Sequence, residues 1–210
     1  MIEIKKVEID YKTIKMSFDN IIIKDNRVTV IEGKNGSGKT TLLRAMSGLI
    51  PFTGSIRLDG DITYNSQEPV IFDRTVLENI MYPLRIRKLN VEDYLDEINK
   101  YSDMLELTPL LEENGKNLSS GEKMKVSIIR SIIFKPKYVL LDEPTTHLDI
   151  ESIDELINLI RRLKNEITFI IVSHNKQFIT ELFDDKIKLG GNHVYRKNNW
   201  WNKANNQKQF

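Results

Sequence analysis

The chain has 210 residues, with 31 Lys or Arg set against 30 Asp or Glu and no cysteine. That length suits one domain, or one domain with an inserted lobe, and the near-zero balance sets up no global field to recruit nucleic acid. Disulfides and thiolate metal sites are excluded, His147, His174 and His193 lack metal-ligand spacing, and no run reaches the roughly 18 apolar residues of a membrane span. The first residues, Met1 to Lys6, are charged from the outset with no signal peptide after them, so the expectation is a soluble, cytoplasmic protein.

Apolar residues recur at near-alternate positions from Ile2 to Ile9 and from Ile14 to Ile23, which predicts two half-buried strands. Tyr11 lies between them, where its ring can stack on an adenine or simply pack in the core. Val28 to Ile31 reads as a buried strand, and Thr41 to Met46 as part of a helix that ends near Gly48. Gly33-Lys34-Asn35-Gly36-Ser37-Gly38-Lys39-Thr40 stands between them. This is a GxxxxGKS/T pattern in the strand–turn–helix setting that makes it a phosphate site. Its glycines let several N–H groups converge, and the helix starting near Lys39 adds the positive end of its dipole. Lys39 can reach the β- and γ-phosphates, and the Thr40 hydroxyl can take one position on Mg2+. The chain is therefore expected to bind a nucleoside triphosphate.

Ile56–Leu58 and Ile62–Tyr64 flank Asp59-Gly60 and read as a hairpin. Gln67, just beyond that second strand, is either a Mg2+ or water ligand or an ordinary solvated loop residue. From Thr75 to about Lys135 the period becomes helical, with Val91, Leu95, Ile98 and Met104-Leu105 along one stripe. This predicts a helical lobe inserted between strands of a sheet, broken by Pro109 and by Glu112 to Asn117.

Leu118-Ser119-Ser120-Gly121-Glu122 opens a further helix carrying Met124, Ile128, Ile129, Ile132 and Ile133. Ser119 and Glu122 have the spacing of a capping box, and the same helix start can present an anion site; both readings stay open here. Tyr138 to Leu141 is an apolar strand ending in Asp142 and Glu143, with Pro144 as its stop. Asp142 suits the outer shell of a Mg2+ held by Thr40. Glu143, expected on the other side of the strand, can position an attacking water. Asp149 either caps or precedes a helix whose apolar face is Ile153, Leu156, Ile157, Ile160 and Leu163. Thr168 to Val172 predicts a buried strand with His174 at its end, where ligands bind in open α/β sheets. A helix through Phe178 and Leu182, a final hairpin around Gly190-Gly191, and a polar tail from Asn198 to Phe210 with Trp200 and Trp201 complete the chain.

Taken in order, these motifs resemble the ATP-binding domain of ABC transporters, over about Ile2 to Tyr195. Gly33 to Thr40 looks like Walker A, Gln67 the Q-loop, Leu118 to Glu122 the family signature, and Tyr138 to Asp142 Walker B. Glu143 matches the catalytic glutamate, Asp149 the D-loop aspartate and His174 the switch histidine. Tyr11 falls where the adenine-stacking aromatic falls. The resemblance implies a P-loop α/β fold with a mostly parallel sheet, an N-terminal antiparallel subdomain and a helical subdomain at about 75–135. Residues 1–197 would form a single ATP-binding domain, followed by the tail at 198–210. It implies ATP and Mg2+, with Glu143, His174, Lys39 and Gln67 catalytic and Thr40, Gln67 and Asp142 at the metal. It implies nucleotide contacts from Tyr11, Gly33, Asn35, Gly36, Ser37, Gly38, Lys39, Thr40 and Thr41. In a head-to-tail homodimer or heterodimer, each ATP would also meet Ser119, Ser120, Gly121 and Asp149 of the second subunit.

Two positions depart from the family pattern: Ser120 stands for the usual glycine and Glu122 for the usual glutamine. Both are expected to weaken ATP-driven closure and to reduce hydrolysis without abolishing it. Gln67 to Ile80 and Glu113 to Asn117 are similar to stretches of ABC exporters, which implies a separate permease and attachment to the inner face of the membrane. Asp142 to Asp149 is also similar to soluble ABC proteins acting on ribosomes, the alternative.

Overall fold

A computed structural model describes residues 1–11, 14–190 and 193–196, which form two adjoining sheets. Strand β1 (Ile2–Tyr11) pairs antiparallel with β2 (Ile14–Phe18) and β3 (Ile21–Ile23). The alternation from Ile14 to Ile23, predicted as one strand, is therefore two. Asn20 sits in the left-handed region at φ 56 and turns the chain between them, as a short polar side chain can.

The second sheet contains β4 (Val28–Glu32), followed in sequence by helix α1 (Lys39–Met46). Strand β5 (Thr53–Arg57) returns to pair with β1, whereas β6 (Ile62–Asn65) joins the second sheet beside β7 (Tyr138–Asp142). The predicted hairpin across Asp59-Gly60 is thus not formed. Gly60 turns the chain at φ 107, and the Asp59 carboxylate accepts from Lys137 Nζ at 2.6 Å and from the Tyr138 hydroxyl at 2.8 Å. Those contacts hold the turn beside the start of β7, and β6 pairs there in parallel instead of returning along β5.

Strand β8 (Thr168–Val172), β9 (Asp185–Lys188) and β10 (His193–Arg196) complete a sheet of order β10-β9-β4-β8-β7-β6. All its pairings are parallel except that of β10 with β9, the expected final hairpin. The helical lobe occupies the β6–β7 crossover, with α2 (Val76–Ile86), α3 (Leu95–Met104) and the start of α4 (Ser120–Ile132). Leu95, placed on its apolar stripe by spacing, faces solvent instead. The preceding Val91–Tyr94 is a 3-10 turn, whose three-residue period does not carry the stripe from Val91 to Leu95. Helices α5 (Ile150–Leu163) and α6 (Lys176–Leu182) link β7, β8 and β9, and the five predicted apolar residues of α5 are all buried.

Side-chain alternation along β7 and β8 divides the interior in two. Tyr138, Leu140, Ile170 and Val172 pack with α1 and the antiparallel sheet, while Val139, Leu141, Phe169 and Ile171 pack with α2 to α6. Each fully buried Leu, Ile or Val in these layers contributes about 1.5–3 kcal/mol. No helix among the described residues is long and apolar enough to cross a membrane. The Tyr11 side chain, Gly191 and the tail with Trp200 and Trp201 lie outside the described residues.

Candidate functional site

The loop between β4 and α1 is built to leave amides unpaired. Gly36 at φ 78 and Gly38 at φ 92 adopt left-handed backbone that favours glycine. Gly38 is the N-cap of α1 and supplies no side-chain cap, so the first N–H groups of that helix are open to an anion. A Cβ at Gly38 would also meet Met16 Sδ and Phe18 Cζ, both at 2.9 Å, so strand β2 presses against the back of the loop. Ser37 Oγ is buried and has no hydrogen-bond partner among the described residues. An orphaned hydroxyl beside uncapped amides fits a bound phosphate group. Lys39, only 8% exposed, donates from Nζ to the Gly33 carbonyl at 2.9 Å and the Lys34 carbonyl at 3.3 Å. Its ammonium is therefore held at the mouth of the loop.

Beneath the loop, parity along β7 places Asp142 on the same face as Tyr138 and Leu140, toward α1. Thr40 Oγ1 donates to Asp142 Oδ1 at 3.1 Å, and the Tyr64 hydroxyl donates to Oδ2 at 2.9 Å. Hydroxyl and carboxylate oxygens suit a hard cation such as Mg2+. No group of three or more His, Cys, Asp or Glu placed to hold a metal ion exists among the described residues. A Mg2+ at Thr40 and Asp142 would thus complete its shell with waters and phosphate oxygens, its usual habit.

Glu143 does not continue the strand alternation to the opposite side, as its sequence position predicts. It takes φ 52, the left-handed region, and this turns its carboxylate back toward the loop. Glu143 N donates to the Val172 carbonyl at 2.8 Å, and Glu143 Oε2 accepts from the His174 backbone N–H at 3.0 Å. His174 Nε2 lies 3.4 Å from Oε1. Burial pushes the Glu143 carboxyl up, with the His174 N–H opposing that shift.

Glu143, His174 and Gln67 face Lys39 and Thr40 across a cavity of about 490 Å3, which Asn35, Gly36, Ser37, Gly38 and Thr41 also line. Asp142 joins them through Thr40, and Gly33 opens the loop. Ser119, Ser120, Gly121 and Asp149 do not reach this cavity. Ser119 and Ser120 stand at the start of α4, where both halves of the capping box are formed. Asp149 caps α5, its Oδ1 accepting from Ser152 N at 2.8 Å, and its pKa is lowered first by the Ser152 hydroxyl and then by that N–H. A Cβ at Gly121 would lie 2.9 Å from the His147 carbonyl, so the two helix starts are packed together.

Sequence reasoning missed Tyr64 and Met16. Tyr64 ends the alternation of the strand before Gln67, and Met16 alternates with Phe18 on β2, but neither pattern names a partner across the sheet.

The family described as ABC transporter matches residues 18–146. The chain is 31% identical over 212 residues to a putative ABC transporter ATP-binding protein of Pyrococcus furiosus, covering 92% of this chain and 82% of that one. It is 30% identical over 203 residues to the molybdate/tungstate import ATP-binding protein WtpC of Pyrococcus horikoshii, covering 90% and 57%. The chain spans about half the length of some curated relatives it matches, 41% in one case. In fold it is similar to an ATP-binding cassette solved as a dimer in a post-hydrolysis state with ADP and phosphate. The TM-score there is 0.81 at 22% identity, covering 93% of this chain and 98% of the other.

Proposed function

The chain belongs to the ABC transporter family, and we propose that it is the ATP-binding and ATP-hydrolysing subunit that powers a separate membrane permease. The observation that carries this reading is the convergence of Lys39, Thr40, Glu143 and His174 on one cavity at the end of a parallel sheet, with Asp142 hydrogen-bonded to Thr40. In it, Lys39 exchanges its two loop carbonyls for the β- and γ-phosphate oxygens, while Ser37 Oγ and the first N–H groups of α1 cradle the same chain. Thr40, with Asp142 and Gln67, would hold a bound Mg2+, which would supply charge neutralisation at the phosphates. Glu143 takes a proton from a water as that water attacks the γ-phosphorus and the bond to the ADP oxygen breaks. Its burial raises the affinity of its carboxylate for that proton, and the His174 backbone N–H fixes one of its oxygens. The His174 side chain meets the γ-phosphate.

Ser119, Ser120, Gly121 and Asp149 serve the ATP of a second subunit in a head-to-tail dimer. Their exclusion from this chain's own cavity supports that reading, as does the dimeric cassette of the same fold. Residues 1–197 act as one ATP-binding domain, peripheral on the inner face of the membrane through the permease. Export rests on two local resemblances, Gln67 to Ile80 and Glu113 to Asn117. A relative named for molybdate/tungstate import makes import the better-supported direction.

The test is fractionation of gently lysed cells with ATP, using wild type and Glu143→Gln. Sedimentation with membranes and release by detergent together with an integral membrane protein supports the permease. Migration with ribosomes, reversed by salt or nuclease, replaces it with a soluble role.

A further inference from the structure

Asp142 is 3% exposed, and both its oxygens are engaged: Oδ1 by Thr40 and Oδ2 by Tyr64. The direction of the Tyr64 bond is forced. An ionised carboxylate can only accept, so the single phenol proton points at Asp142. Tyr64 belongs to β6 and Asp142 to β7, so one phenol fixes the strand end that carries the carboxylate to the neighbouring strand.

Resting on the reading of this cavity as an ATP and Mg2+ site, we infer that Tyr64 is the positioning residue for Asp142 toward the metal. By holding Oδ2 away from the loop, the phenol leaves Oδ1 as the one carboxylate oxygen presented beside Thr40. The carboxylate then meets the cation side through a single oxygen at a set angle, instead of rotating or chelating with both. Partners that orient a metal-site carboxylate from behind are commonly worth 10–100-fold in metal affinity. Tyr64 itself touches neither nucleotide nor metal in this arrangement; it acts through Asp142.

The test compares wild type with Tyr64→Phe, which keeps the ring and removes the proton. Mn2+ serves as a paramagnetic stand-in for Mg2+ and is titrated by EPR with a non-hydrolysable ATP analogue, the protein being in excess over nucleotide. The expected result is an about tenfold rise in the Mn2+ concentration at half-saturation, with affinity for the analogue in EDTA unchanged. In an Asp142→Asn background the same substitution should add no further rise. Mn2+ curves that superimpose overturn the inference, and so does a Tyr64→Phe effect that persists without the carboxylate. A wild-type protein that takes up no Mn2+ with the analogue overturns the site reading itself, a distinguishable result.

Discussion

The backbone N–H of Ser119 donates to Glu122 Oε2 at 2.7 Å while Ser119 Oγ accepts the Glu122 N–H at 3.2 Å, closing a reciprocal cap on α4. The cap keeps a carboxylate beside the groups that, in the proposed dimer, a second subunit's ATP would have to reach. A helix N-terminus favours one anion by about 0.3–1 kcal/mol, and Glu122 already occupies it. Glu122→Gln preserves the hydrogen-bonding shape without the charge. In a Glu143→Gln background it should raise the ATP-dependent dimer fraction about 2–5-fold by size-exclusion chromatography. An unchanged fraction would mean that Glu122 is no obstacle.

In the proposed dimer, Ser120 would add a Cβ where the neighbouring nucleotide approaches backbone. Ser120→Gly is expected to speed steady-state ATP hydrolysis over wild type. A rate no higher than wild type counts against any obstruction by this residue.

Lys39 holds two loop carbonyls that a triphosphate would replace with stronger, charge-assisted bonds. Lys39→Ala should weaken ATP binding about 10–100-fold, the worth of a hydrogen bond to a charged group, with the fold intact by circular dichroism. Retention of wild-type affinity in a nucleotide titration would remove Lys39 from the site.

Ser127 on α4 donates to the buried Asn65 Oδ1 at 2.5 Å, and Asn65 Nδ2 reaches Met124 Sδ at 3.6 Å. Ser127→Ala leaves that amide oxygen short of a donor and should cost about 1–3 kcal/mol in urea unfolding. Combining it with Asn65→Val removes both partners, so the double variant should lose less than the sum of the two single losses. Additive losses would show that the pair is not coupled.

Asp59 is held well below the usual carboxylate range, first by the Lys137 ammonium and then by the Tyr138 hydroxyl. A depressed folded-state pKa contributes stability that is present above the unfolded value of 3.8 and lost as pH falls below it. Asp59→Asn should therefore lower the melting temperature at pH 7 by about 1–3 °C, as expected of an exposed ion pair. The difference should shrink progressively below pH 3.8. A gap that stays constant with pH would mean that the carboxylate charge plays no part.

The phosphate loop was legible because its chemistry needs contiguous residues: glycines for the turn, then Lys39 and Thr40. The strand ending in Asp142 and the apolar faces of α4 and α5 were legible from period alone. Lateral neighbours were not. Tyr64 and Asp142 are 78 residues apart, and Asn65 and Ser127 are 62 apart, so alternation within one strand says nothing of what lies across the sheet. Local turn signals also misdirected. Asp59-Gly60 has hairpin chemistry, but β6 pairs in parallel with β7 in the other sheet, a long-range pairing that a local turn signal does not carry. At Glu143 a single left-handed residue reversed the side that simple alternation assigns.

The two hydrophobic layers on either face of the parallel sheet separate two duties. Helix α1, with the phosphate loop, is rooted in one layer; α4, with Ser119 to Gly121, is rooted in the other. If Ser119 to Gly121 serve a second subunit's ATP as proposed, damage confined to the second layer would leave a chain that still captures nucleotide but cannot complete the site of the subunit facing it. Mixed with intact copies in that proposed pair, such a chain would silence its partner's site and behave as dominant. Damage to the first layer, by contrast, would produce a chain that fails on its own account.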